Sequence, residues 1–106
     1  MPTSIEEIGV SNLPVKFALK QNFPNPFNPS TTINYELEIV NSEFAKLKIF
    51  NVLGAEVKEF TLTQPNGSVV WNGTDKLGKA VSSGVYFYTL ESSTGLKQTK
   101  KMLLLK

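Results

Sequence analysis

Between Thr31 and Ile39 the chain reads TTINYELEI. Ile33, Tyr35, Leu37 and Ile39 are apolar, while Thr32, Asn34, Glu36 and Glu38 between them are polar. Successive side chains of an extended backbone point to opposite faces. The alternation therefore predicts an antiparallel strand with one face in a core and the other in water. Ala45–Phe50 repeats the pattern, with Leu47 and Ile49 inward and Lys46 and Lys48 outward. Glu56–Leu62 breaks it, because Val57, Phe60 and Leu62 are not evenly spaced, and a β-bulge is expected there. Further strands are predicted over Val15–Leu19 at an edge, Ser68–Trp71, the aromatic and β-branched Val85–Glu91, and Leu96–Lys106. Turns separate them at Val40–Glu43, at Leu53–Gly54 with a positive φ at the glycine, and at Ser92–Gly95. Gln64–Gly67, QPNG, predicts a tight hairpin, and Asn72–Gly84 a long glycine-containing loop. About seven short strands at this spacing predict an all-β fold, an immunoglobulin-like β-sandwich of antiparallel strands. There is no amphipathic helix and no internal repeat.

Two stretches do not fit this rhythm. Gln21–Ser30, QNFPNPFNPS, places Pro24, Pro26 and Pro29 ahead of the clearest strand. Each removes an N–H and holds the preceding residue extended, so the run is a crossover and not a ladder member. Its structural role is to fix the entry into the sandwich, with Phe23 and Phe27 tucked against the core. Its functional role would be a rigid recognition strip, since prolines lower the ordering cost of binding. The second stretch is the chain end. Met102–Leu105 does not alternate, and Lys100, Lys101 and Lys106 flank it. Either this strand is buried on both sides, or one face or edge is left for a partner, for instance by strand addition.

The chain has 106 residues, enough for one domain. Met1–Pro14 reads as a polar linker and residues 15–106 as the domain. With neither Cys nor His, it has no thiol nucleophile, no thiolate or imidazole metal ligand and no Ser-His-Asp arrangement. No cofactor is expected. The formal charge is +2, carried by lysine without arginine, which argues against specific nucleic-acid recognition. No apolar run approaches the ~20 residues that span a bilayer. The N-terminal MPTSIEEIGV has acidic residues where a signal peptide has basic ones.

The remaining candidates for chemistry are few. Glu36 and Glu38 share a strand face and read as its wet side. Asp75, in WNGTDKLGK, is the one aspartate, too few carboxylates for calcium, and suits a turn. Trp71, Tyr86 and Tyr88 could form a sugar-stacking platform or simply fill the core of a small sandwich. Asn66-Gly67-Ser68 and Asn72-Gly73-Thr74 match the short glycosylation acceptor pattern.

Taken in order, LKQNFPNPFNPSTTINYEL (Leu19–Leu37), LKIFNVLGAEV (Leu47–Val57), VVWNGTDKLGKAVSSGVYFYTLES (Val69–Ser92) and TKKMLLLK (Thr99–Lys106) resemble the type A C-terminal sorting domain of the Bacteroidetes-type type IX (Por) secretion system. The motif residues are Asn25, Pro26, Phe27, Asn28, Pro29, Gly54, Trp71, Gly73, Gly84 and Tyr86. The Trp71–Tyr88 region also resembles the related immunoglobulin-like domain of flagellar hook-capping proteins. The resemblance implies a non-catalytic signal at the end of a larger exported protein. It implies passage through the periplasm to the outer-membrane surface or the medium. The implied partners are an upstream cargo domain, an outer-membrane translocon and a sortase that removes the domain. It implies translocon recognition by Lys100, Lys101, Met102, Leu103, Leu104, Leu105 and Lys106. The rival readings are a carbohydrate- or surface-binding module using Trp71, Tyr86 and Tyr88, and a structural assembly domain of the hook-capping kind; weak pairing with a second copy through the sheet edges is a further expectation.

Overall fold

The structure, a computed structural model, describes residues 16–37 and 44–106. They form seven strands: β1 Phe17–Leu19, β2 Thr31–Leu37, β3 Ala45–Phe50, β4 Glu56–Leu62, β5 Asn66–Trp71, β6 Gly84–Ser92 and β7 Lys97–Leu104. All pairings are antiparallel, in a three-stranded sheet ordered β1-β2-β5 and a four-stranded sheet ordered β4-β3-β6-β7. The expected all-β sandwich is present. The linker Met1–Pro14, Val15, Glu38, Ile39 and the Val40–Glu43 turn lie outside the described residues. No helix long and apolar enough to cross a membrane occurs among the described ones.

The core follows from the alternation. Ile33, Tyr35 and Leu37 of β2 face Leu47 and Ile49 of β3, Tyr86, Tyr88 and Leu90 of β6, and Met102 and Leu104 of β7, all buried. The bulge expected in Glu56–Leu62 is at Val57: Ile49 pairs with Lys58 and Phe50 with Glu56, so Val57 has no partner. The extra residue turns Val57 into the core.

One turn differs from expectation. Asn66 and Gly67 are not a hairpin tip but the first residues of β5, opposite Glu36 and Tyr35 of β2. The chain leaves β4 and crosses to the other sheet. The physical reason is packing: a Cβ on Gly67 would lie 3.0 Å from the Tyr35 hydroxyl oxygen, so the glycine gives Tyr35 room to lie across β5. The turn that does use a left-handed glycine is Asn51–Ala55, where Gly54 has φ 85° and the Asn51 carboxamide accepts from the Leu53 and Ala55 N–H groups.

The sheets are joined along the β1/β7 side by side chains. The Gln98 carboxamide accepts from the Leu19 N–H at 3.0 Å and donates to the Phe17 carbonyl at 2.8 Å, so it acts as a ladder partner for β1. Above this seam lies the proline run.

Candidate functional site

The site is built from the last residues of the chain and the proline run that crosses them. β7 is an edge strand, and its outer backbone groups would be unpaired if nothing covered them. At Leu103–Leu105 they are covered. The Phe27 N–H donates to the Leu103 carbonyl at 3.0 Å, the Leu105 N–H donates to the Phe27 carbonyl at 2.9 Å, and the Asn25 carboxamide accepts from the Leu103 N–H at 2.9 Å. Phe27 and Leu104 thus form a parallel bridge. Strand addition at Leu103–Leu105 is therefore not open to a partner: the chain's own crossover occupies that edge. The Lys106 N–H donates to the Ser83 hydroxyl at 3.0 Å, which fixes the final residue as well.

The run is held down by one aromatic and one polar anchor. Phe27 is 2% exposed and its ring lies 5.7 Å from that of Trp71, which in turn meets Tyr86 edge-on at 5.3 Å. Phe23, four residues earlier, is 77% exposed; only Phe27 enters the core. The difference is backbone direction. Phe23 pairs through both its N–H and C=O with Thr32, an arrangement that leaves its ring on the solvent side. The polar anchor centres on Tyr88. Its hydroxyl donates to the Lys20 carbonyl and accepts from the Asn22 N–H, each at 2.8 Å. Burial pushes the Tyr88 hydroxyl up to about 12. The Asn22 carboxamide then donates to Thr31 Oγ1 and to the Pro24 carbonyl, and Thr31 Oγ1 donates to Pro24 as well. Asn22 and Thr31 are both buried, so these bonds satisfy groups that water cannot reach. The bonds preceding Pro24, Pro26 and Pro29 are cis.

The terminal stretch itself alternates once folded. Met102 and Leu104 are core residues, Leu103 is half-buried on the outer face, and Leu105 lies beyond the strand, 48% exposed. The apolar end is therefore neither buried on both sides nor a bare face. Lys101 and Lys106 are exposed and Lys100 half-buried. Gln21 donates to the Lys101 carbonyl at 2.9 Å, extending the seam between the run and β7. Gly73 completes the arrangement: with φ 74° it passes under the Pro29 carbonyl and against Leu104, where a Cβ would lie 3.3 Å from that oxygen.

Other candidate residues are placed apart from this site or in purely structural positions. Trp71 and Tyr88 are fully buried and Tyr86 nearly so, which removes the stacking platform considered for sugars. Trp71 Nε1 donates to the Thr74 carbonyl and the Tyr86 hydroxyl to the Ser82 carbonyl, so their polar ends are spent within the domain. The Asp75 carboxylate accepts from the Lys79 and Leu77 N–H groups, which hold it below its ordinary value; it is a turn former. Glu36 is exposed on β2. Gly84, φ 148°, begins β6 opposite Leu104. Gln21 and Gln98 have no signal in the sequence, because their partners, Lys101 for the first and Leu19 and Phe17 for the second, lie far away along the chain. The Asn22 and Thr31 side chains bond locally, to each other and to Pro24, and only the Asn22 N–H reaches a distant partner, Tyr88.

The comparisons with known proteins bear on what this arrangement serves. No curated protein matches the chain. Solved structures resemble it, two of them as follows. One is the crystal structure of dimeric latent PorU from Porphyromonas gingivalis, with a TM-score of 0.71 and 21% identity over 95% of this chain and 10% of that one. The other is PorZ, an essential bacterial surface component of the type IX secretion system of Porphyromonas gingivalis, with a TM-score of 0.58 and 20% identity over 85% of this chain and 11% of that one. At these identities the likeness is one of fold, and the chain spans about a tenth of the length of either structure. The family model described as CHU_C Type IX secretion signal domain matches residues 21–105, from the start of the proline run to Leu105. Such a domain marks a protein for export toward the outer membrane and cell surface. The chain belongs to the type IX secretion signal domain family.

Proposed function

We propose that residues 15–106 are a non-catalytic sorting domain that carries a cargo, joined through the Met1–Pro14 segment, across the periplasm to an outer-membrane type IX translocon. A surface sortase then separates domain and cargo. The observation that carries this reading is the family match over residues 21–105. The folded terminus supports it: the side chains of Lys101, Leu105 and Lys106 face outward while Met102 and Leu104 hold their backbone in place.

The test is export of a reporter. A signal peptide, a fluorescent protein and this chain are fused and expressed in a bacterium with a type IX system. Reporter should appear on the surface or in the medium with this chain, and stay in the periplasm with an unrelated β-sandwich in its place. Retention of the fusion, in a host that exports the same reporter on its own sorting domain, would count against the reading.

A further inference from the structure

We propose that the export signal is a composite surface, in which the proline run and the chain terminus form one ledge read by an acidic groove on a protein partner. This rests on the sorting-domain reading and says what the signal is made of. Two segments 78 residues apart are locked in register by the Asn25 carboxamide on the Leu103 N–H, and by the reciprocal Phe27 bonds on either side. A linear terminal signal would leave the edge of β7 open. Here the edge is closed at Leu103–Leu105, and the covering strip includes Pro26, which has no N–H with which to template a further strand. Backbone pairing is thus suppressed, and the outward side chains are what a partner can read.

Charge indicates the kind of partner. Among the described residues the ion pairs are Lys46–Glu59, Lys48–Glu91, Lys76–Glu56 and Lys97–Glu91. Glu56 and Glu59 sit on β4, at the far side of the four-stranded sheet from β7. Lys20, Lys101 and Lys106 are exposed around the ledge and take part in none of these pairs. The ledge is therefore positive, with Leu105 and the prolines as its apolar part. A protein groove that combines carboxylates with apolar walls fits it. An anionic membrane or polysaccharide would respond to the lysines but not to the register between the two segments.

The test uses the reporter fusion with the full chain and substitutes Asn25, an exposed residue whose loss leaves the core intact. In Asn25→Ala the Leu103 amide should exchange roughly tenfold faster, the population shift that losing one hydrogen bond brings. Circular dichroism should be unchanged, and surface reporter should fall. Asn25→Asp keeps an acceptor for the Leu103 N–H and should restore its slow exchange, while the carboxylate it adds to the positive ledge keeps export below that of the parent. Replacing Lys20, Lys101 and Lys106 together with Gln should lower export, whereas Lys76→Gln should not. Unchanged export in Asn25→Ala, or an unchanged Leu103 amide, would overturn the composite signal while leaving the sorting reading intact. So would export lost only in the lysine variant together with loss of binding to lipopolysaccharide vesicles, which would make the surface a membrane contact. Failure of the unsubstituted chain to export at all would remove the sorting reading, and this inference with it.

Discussion

Phe23 and Phe27 belong to the same ten-residue run, yet the structure assigns them opposite weights, which makes their truncation a sharp test. Phe27→Ala removes a ring that is 2% exposed and packed on Trp71. Deleting a buried Phe costs about 3–5 kcal/mol, lost transfer energy plus the cavity left behind. Domains of this size have roughly 5–15 kcal/mol in all. Phe23→Ala removes a ring that is 77% exposed and keeps its backbone pairing with Thr32, so it should stay within about 0.5 kcal/mol of the parent. Urea unfolding followed by the fluorescence of Trp71, the single tryptophan, reads both. With a slope of ~1–1.5 kcal/mol per molar urea, the midpoint of Phe27→Ala should drop by about 2–5 M and that of Phe23→Ala should hardly move. Similar small shifts in both would mean that the run is not anchored through Phe27, and the account of a covered terminal strand would fail with it.

Three further outcomes follow from the same geometry. Tyr88→Phe strips two buried backbone groups, the Asn22 N–H and the Lys20 carbonyl, of their partner and should cost about 1–3 kcal/mol at neutral pH by denaturant titration. Because burial raises the Tyr88 hydroxyl from 10.0 to about 12, the unfolded chain loses its proton first, so stability should fall as pH rises from about 10 to 12, and less steeply in Tyr88→Phe; equal slopes would contradict the buried hydroxyl. Gly73→Ala should destabilise more than Gly54→Ala in thermal melts, since both have positive φ, roughly 1–2 kcal/mol for an L-residue, but only Gly73 also meets a backbone oxygen at 3.3 Å; equal melting points would remove the close approach from the argument. Leu104→Ala should cost about 2–5 kcal/mol and Leu105→Ala less than about 1, as judged by urea midpoints, because one is fully buried and the other 48% exposed.

The strands were legible because their signal is local. Ile33, Tyr35 and Leu37, or Leu47 and Ile49, declare an inward face through period two alone, and Val57 declared its bulge by breaking that period. What could not be read was anything settled by a partner distant in sequence. Asn66–Gly67 has the local chemistry of a hairpin tip, but pairing with Glu36 and Tyr35 and the space required by the Tyr35 ring override it. Phe23 and Phe27 look alike in sequence; the direction imposed by the Thr32 pairing separates them. Gln98 looks like an ordinary polar residue because its bonds to Leu19 and Phe17 exist only once the two sheets meet, and so does Asn22, whose N–H donates to the Tyr88 hydroxyl of the opposite sheet. The terminal MLLL lacks polar alternation because Leu103, on the outer face of β7, is itself apolar and half-buried, and because Leu105 lies past the end of the strand.

This last point changes how deletions at the terminus should be read. Removing Lys100–Lys106 takes away Met102 and Leu104, both buried against the core. At about 2–5 kcal/mol for each large core side chain, the loss rivals the whole stability of the domain. It also strips the partner from Phe27 and Asn25, so the proline run is released along with the strand. Loss of export in such a truncation is equally what an unfolded domain would give, and it cannot locate a recognition element. Leu105 and Lys106 lie beyond β7 and outside the core, so substitutions there can change recognition while the fold persists. If export survives every change at Leu105, Lys106 and Asn25 but fails with Leu104→Ala in proportion to lost stability, then the fold as a whole is the signal and no terminal surface is read separately.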